Sequence, residues 1–120
     1  MSVVGDGHAP WSIALDDGRV VPLDVTVLLG RNPQRRPEDP ITQLVPSSGD
    51  GRTIDRTHVM IGLDALGVFV LDRDSSTGTA ILLQDGSLEE LRPELKRYVG
   101  DGQRVVYGER WFIVQREEPR

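Results

Sequence analysis

Arginine, serine and threonine residues are concentrated on both sides of an apolar stretch in the middle of the chain. Arg31 follows one predicted strand, Arg56 precedes another, and residues 72–79 read DRDSSTGT. Guanidinium groups, hydroxyl groups and loop amides that converge at one place can bind a phosphate dianion. The chemistry that these residues favour is therefore oxyanion binding. The alternative is that the arginines lie in solvated loops and pair with nearby aspartates.

The apolar stretch predicts a hairpin that brings these polar regions together. Residues 58–63 alternate, placing Val59, Ile61 and Leu63 on one face of a strand, and residues 68–71 return as a β-branched and aromatic run after a turn at 64–67. The outer ends of a hairpin lie side by side. The loop before His58 should therefore lie close to residues 72–79.

The sequence contains no recognisable metal motif. Its only histidines are His8 and His58, and no cluster of ligands accompanies either, so His58 is predicted to be a hydrogen-bonded structural residue. Acidic and hydroxyl residues alternate over 72–76 as in a calcium loop. Thr77 and Leu83, however, stand where that loop needs glycine and glutamate. We expect neither a metal nor another cofactor.

Motifs for catalysis are also missing. The sequence Ser76-Thr77-Gly78 lacks the aspartate that precedes Thr-Gly in aspartic proteases, and the chain has no Gly-x-Ser-x-Gly elbow and no cysteine nucleophile. Lys96 has no glycine frame of the kind that a Walker phosphate loop requires. The chain is therefore not expected to be an enzyme.

Length and charge narrow the function classes further. A chain of 120 residues predicts one domain, and a net charge of −5 argues against non-specific nucleic-acid binding. The sequence has no cysteine, no apolar run long enough to insert into a membrane and no signal-peptide core, which suits a cytoplasmic protein. Every basic residue except Lys96 is arginine. Either a GC-rich bacterial genome or oxyanion recognition explains that bias.

Closely spaced turn signals predict roughly ten short strands and an all-β sandwich or barrel. Pro22 marks its run as an edge strand. Residues 87–98 favour two short strands around a turn at Pro93, with one helical turn as the alternative. The predicted domain spans 11–116 between tails at 1–10 and 117–120. Strands are predicted at 11–15, 19–23, 25–29, 41–45, 58–63, 68–71, 80–83, 104–107 and 111–115, besides those within 87–98.

Four segments together match one known family. Leu29-Gly30-Arg31 is similar to a Gly-Arg strand end, residues 55–58 to a Ser-x-x-His motif, residues 72–79 to an Asp-x-x-Ser-Thr-Asn-Gly-Thr loop, and residues 105–114 to a closing glycine-containing hairpin. On these motifs the chain resembles a forkhead-associated (FHA) domain over roughly residues 11–116. The resemblance implies a two-sheet β-sandwich of about ten to eleven strands. It also implies that loops at one end bind phosphothreonine peptides.

The resemblance assigns a role to each matching residue. Arg31 would be the main phosphate ligand, and Arg56 would lie beside the phosphate or its flanking peptide. Ser76 would contact the peptide, and His58 would brace the loop before it. The implied phosphopeptide-binding residues are Arg31, Asp55, Arg56, Ser75, Ser76 and Thr77. The implied loop-shaping residues are Gly30, His58, Gly78 and Thr79, and Arg35, Arg36 and Arg52 are auxiliary candidates.

Two positions depart from the family pattern. Asp55 stands where the family has the serine that helps to hold the phosphate, and Thr77 stands where it has asparagine. An aspartate about 4 Å from a phosphate would repel it by several kcal/mol at an effective dielectric constant of about 20.

The resemblance implies one function, and the departures suggest a second. The first is a phosphothreonine-binding module in the kinase-linked signalling of a bacterium. In the second, Asp55 pairs with Arg31 or Arg56 and occupies the pocket as a built-in anion. The domain then docks or scaffolds a partner without phosphate, or binds phosphopeptides only weakly. A milder hypothesis turns Asp55 outward and lets Ser48 or Thr53 supply the missing hydroxyl.

Overall fold

A computed structural model describes residues 10–49 and 52–117, which form eleven strands. The predicted all-β, two-sheet architecture is confirmed, and no helix in this part of the chain is long and apolar enough to cross a membrane. The predicted tails fall largely on residues 1–9 and 118–120, which lie outside the described residues. The strands are β1 (Trp11–Leu15), β2 (Val20–Pro22), β3 (Thr26–Gly30), β4 (Thr42–Pro46), β5 (Val59–Asp64), β6 (Gly67–Asp72), β7 (Thr79–Leu82), β8 (Leu88–Glu90), β9 (Arg97–Val99), β10 (Arg104–Tyr107) and β11 (Arg110–Arg116).

The strands form a six-stranded sheet in the order β2-β1-β11-β10-β7-β8 and a five-stranded sheet in the order β4-β3-β5-β6-β9. Neighbouring strands are antiparallel except β3 and β4, which are parallel. The connection between two parallel neighbours must return to the starting end of the sheet. This is why residues 31–41 form a long irregular segment.

Alternating residues from both sheets pack between them into one hydrophobic core. A side chain of this kind, fully buried, stabilises the fold by roughly 1.5–3 kcal/mol. The five-stranded sheet contributes Val27, Leu29, Val59, Ile61, Val68 and Val70. The six-stranded sheet contributes Ile13, Leu15, Ile81, Val105, Phe112 and Val114.

The ambiguous segment 87–98 forms two strands, and the alternative of a helical turn is wrong. β8 joins the six-stranded sheet and β9 joins the five-stranded sheet, so the chain crosses from one sheet to the other between them. The turn falls at Pro93 and Glu94, and Glu94 has a φ of 64°. The predicted edge strand at Pro22 is confirmed, since β2 ends its sheet.

The predicted central hairpin is β5 and β6, joined at Ala65 and Leu66. Register places the end of β3 beside the start of β5 and the end of β6, and the start of β7 beside the end of β10. Loops from both sheets therefore meet at one end of the sandwich. We call this end the rim, formed by the start of 31–41 and by 52–58, 73–78, 91–96 and 108–109.

Candidate functional site

The end of β3 lies directly against the loop before β5. Beyond the paired strands, the Arg31 amide donates to the Asp55 carbonyl at 2.9 Å and the Asn32 amide donates to the Arg56 carbonyl at 3.1 Å. Gly30 permits this approach, because a Cβ there would lie 2.0 Å from the Arg56 carbonyl oxygen. Glycine at this position therefore holds Arg31 and Arg56 together at the rim.

The Arg31 side chain is anchored at one atom and open at its tip. Its Nε donates to the carbonyl of the buried residue Ile54 at 2.9 Å. The residue is exposed, and its two terminal nitrogens have no hydrogen-bond or ion-pair partner among the described residues. A guanidinium held in this way presents a fork of N–H donors to an anion, and no ion pair with a carboxylate has to break first.

Asp55 uses its carboxylate differently from the prediction. Its Oδ2 accepts hydrogen bonds from the Ser76 amide at 2.9 Å and from the Ser76 hydroxyl at 3.4 Å. Within residues 10–49 and 52–117 it makes no ion pair with Arg31 or Arg56. The predicted pairing of Asp55 with an arginine is therefore wrong. Asp55 contacts the loop after β6 instead.

His58 explains why the two loops meet at Asp55. It is fully buried, its Nδ1 accepts from the Asp55 amide at 3.1 Å, and its Nε2 lies 2.9 Å from the Gly78 carbonyl. Because Nδ1 accepts, Nε2 carries the proton and donates to Gly78. The imidazole also stands edge-on to Tyr107 at 5.6 Å between ring centroids. This bridge draws residues 52–58 towards 75–78, which brings the Asp55 carboxylate to the Ser76 amide.

Asp72 organises the loop after β6 from inside. Its buried carboxylate accepts hydrogen bonds from the Ser75 amide at 3.1 Å, from the Ser75 hydroxyl at 2.5 Å and from the Thr79 hydroxyl at 2.6 Å. The Ser75 hydroxyl also accepts from the Gly78 amide at 3.0 Å, and Gly78 has a φ of 83°. The hydroxyls of Ser75 and Thr79 are thus used within the loop, whereas Ser76 and Thr77 lie exposed at its surface.

Neither hydroxyl proposed as a substitute for the missing serine is available. The Thr53 hydroxyl donates to a Glu109 carboxylate oxygen at 2.9 Å and accepts from the Glu109 amide at 2.7 Å. The Ser48 hydroxyl is hydrogen-bonded to Asp17. That hypothesis is wrong, because both groups are held by the loops 16–19 and 108–109. Thr77 in turn donates to the Thr53 carbonyl at 2.7 Å, which ties the two rim loops together.

Two of the auxiliary arginines, Arg35 and Arg36, are engaged with other groups. Arg36 forms a two-pronged ion pair with Glu94 at 2.9 and 3.1 Å, and Arg35 donates to the Asp39 carbonyl at 2.6 Å. Arg52 is exposed at the start of the loop 52–58. Arg35 and Arg36 therefore stabilise the segment 31–41, and Arg36 attaches it to the connection between β8 and β9.

A buried ion pair that the sequence analysis missed also holds the segment 31–41. The guanidinium of Arg73 contacts the Asp39 carboxylate at 3.1 and 3.3 Å, and both side chains are almost fully buried. Asp39 additionally accepts from the Arg36 amide at 2.8 Å. The partners lie 34 residues apart, so no local pattern could have indicated the pair.

The Asp39 pair predicts acid sensitivity. Burial by itself raises the pKa of Asp39, but the Arg36 amide and the Arg73 guanidinium outweigh it and hold that pKa below its usual value. A carboxylate whose pKa is lowered by folding stabilises the folded state at pH values above its unfolded pKa of about 4. This stabilisation is lost as the pH falls through the pKa of the folded state. We expect Asp39→Asn to lower the free energy of unfolding at pH 7. Below pH about 4, this free energy should fall less steeply with pH in the variant than in the wild type. Urea unfolding against pH measures both effects.

The exposed Asp74 offers a matched control, because it lies on the neighbouring loop and has no hydrogen bond or ion pair within the described ranges. Asp74→Asn should leave the stability at pH 7 and its acid dependence close to wild type. An acid dependence of Asp39→Asn that matches wild type would contradict the assignment to this ion pair.

The sequence matches no family model and no curated protein. Solved structures do match. An FHA domain of an Arabidopsis thaliana hypothetical protein has a TM-score of 0.67 and 19% identity, with 100% of this chain and 96% of that chain covered. The FHA domain of CT664 from Chlamydia trachomatis has a TM-score of 0.66 and 19% identity, covering 90% and 98%. The MEK1 FHA domain, solved with a phosphothreonine peptide of HOP1, has a TM-score of 0.62 and 18% identity, covering 92% and 99%.

The described strands thus define a two-sheet β-sandwich that extends over nearly the whole length of these domains. The chain has the FHA fold. The resemblance read from the four sequence motifs is confirmed at this level.

Proposed function

We propose that the chain is a protein-recognition module that binds phosphothreonine-containing segments of partner proteins at the rim. The observation that carries the proposal is Arg31, whose guanidinium is anchored through Nε and has both terminal nitrogens unengaged within the described residues. The FHA domain of MEK1, a structural neighbour with the same fold, was solved with a phosphothreonine peptide.

The surroundings of Arg31 suit a doubly charged anion. Arg56 is exposed, and its carbonyl accepts a hydrogen bond from the amide of residue 32. The backbone that carries a second arginine side chain therefore lies next to Arg31. The Ser76 hydroxyl lies 3.4 Å from Asp55, near the upper limit for a hydrogen bond, and can turn to a stronger acceptor. A phosphate group could therefore receive donors from two arginines and one serine.

A second candidate function rests on Asp55. Its carboxylate accepts the hydrogen bond of the Ser76 amide. It also places a negative charge at the rim without phosphorylation of any partner. In this version the domain is a degenerate FHA module whose own aspartate fills part of the phosphate pocket. It then docks an unphosphorylated segment or serves as a scaffold.

Titration of matched phosphorylated and unphosphorylated peptide libraries separates the two functions. We expect phosphate to be required, and Asp55→Ser to tighten phosphopeptide binding by about tenfold, because a repulsive charge is removed and the Ser76 amide is released. Asp55→Asn is the control that removes the charge at nearly the same size. Equal affinity of wild type and Asp55→Ser would contradict self-occupation, and equal affinity for both libraries would contradict the first function.

We further propose a cellular setting for the domain. The module spans residues 11–116, binds without catalysing a reaction, and acts in kinase-linked signalling in a bacterial cytoplasm. Its partner is a protein segment, not a nucleic acid or a membrane.

A further inference from the structure

A groove opens on the outer face of the six-stranded sheet, directly beside the rim. It has a volume of about 330 Å³. Ala80 on β7 pairs with Val106 on β10 and with Glu90 on β8, so the three side chains share one face. Val106, Ala80 and the exposed Leu88 provide apolar surface, and Thr77 of the rim also lines the groove.

Two carboxylates border this apolar surface. Glu90 and Glu109 both line the groove, and no lysine or arginine of the described residues does. Neither glutamate has an ion-pair partner within residues 10–49 and 52–117, whereas the adjacent Glu89 is paired with Arg97 at 2.8 Å. Among the described residues, the Glu109 carboxylate accepts a hydrogen bond only from the Thr53 hydroxyl, at 2.9 Å. The groove therefore combines an apolar floor with uncompensated negative charge.

We propose that this groove binds a lysine or arginine side chain of the same partner segment whose phosphate lies at Arg31, an inference that rests on the proposed function. A long basic side chain lays its methylene stem on apolar surface and keeps its charged head in water or on a carboxylate. An aliphatic side chain would cover the floor but desolvate the glutamates without pairing them. An acidic side chain would be repelled by both.

Continuity of the rim links the groove to the phosphate position. Thr77 lines the groove, and its neighbour Ser76 is hydrogen-bonded to Asp55, whose carbonyl accepts from the Arg31 amide. A segment that starts at Arg31 and crosses Ser76 therefore reaches the groove at Thr77. The partner predicted here carries a phosphothreonine and a nearby basic residue.

The experiment moves a single arginine through the positions flanking phosphothreonine in an otherwise neutral peptide. We expect at least one position to tighten binding to the wild-type domain, and Glu90→Gln and Glu109→Gln each to reduce that gain by about two- to fivefold. Glu117→Gln is the charge-matched control, because Glu117 is exposed beyond the far end of β11. A gain that survives the double variant Glu90→Gln, Glu109→Gln, or no gain at any position, would overturn the inference.

A phosphate-free probe keeps this result separate from the proposed function. Acetyl-arginine amide, titrated into isotope-labelled protein, should shift the amide resonances of Leu88, Glu90 and Val106, and acetyl-norleucine amide should not. If phosphate dependence holds while these shifts are absent, the groove assignment fails and the proposed function stands. If the shifts and the arginine gain occur without phosphate dependence, the groove assignment stands and the proposed function fails.

Discussion

Arg31→Ala should weaken phosphothreonine-peptide binding by about a hundredfold or more. Each charge-assisted hydrogen bond contributes roughly 1.5–3 kcal/mol, and a bidentate arginine makes two. The terminal nitrogens have no partner in the described part of the chain, so the fork is available to a ligand without breaking an existing contact. Isothermal titration with the tightest phosphopeptide from the library measures the loss.

Two further variants show whether the loss comes from the fork itself. Arg31→Lys keeps the charge but not the fork or the Nε bond to Ile54, so it should bind with intermediate affinity. Arg116→Ala removes an arginine at the far end of β11 and should bind as wild type does. If Arg31→Ala retained wild-type affinity while remaining folded, Arg31 would not be the phosphate ligand.

Gly30→Ala should destabilise the fold by about 3–5 kcal/mol. The new Cβ would lie 2.0 Å from the carbonyl oxygen of Arg56 and 3.0 Å from that of Asp55, and both are backbone atoms that cannot rotate away. Overpacking costs roughly 1–3 kcal/mol, and displacing residues 55–56 also strains the two hydrogen bonds from Arg31 and Asn32. Chemical denaturation gives the loss directly.

Gly100→Ala is the matched control for this substitution. A Cβ at Gly100 would meet only the Gln103 side chain, at 3.9 Å, and the residue does not require a positive φ. We expect a change within about 0.5 kcal/mol. If Gly30→Ala were equally mild, the contact between β3 and the loop before β5 would not be holding the rim together. Phosphopeptide affinity should fall with stability in Gly30→Ala and stay unchanged in Gly100→Ala.

Local patterns in the sequence were sufficient for the strands and for the ends they bring together. The alternation over 58–63 and the β-branched return predicted the central hairpin, because side chains alternate between the two faces of a strand. Pro93 predicted the break between β8 and β9, because proline interrupts a helical pattern. The placement of residue 55 beside residues 75–77 followed from the same hairpin geometry, and the position of Arg31 on the same rim was implied by the family resemblance.

Tertiary structure alone decided which atoms meet at that rim. Asp55 and Ser76 lie 21 residues apart, and the bridge through His58 brings the aspartate to an amide instead of to a guanidinium. The buried pair of Arg73 and Asp39 joins residues 34 apart. The groove with Glu90 and Glu109 exists only because β7, β8 and β10 lie side by side in one sheet. Charge partners depend on distances and orientations set by long-range packing, and residue spacing does not contain that information.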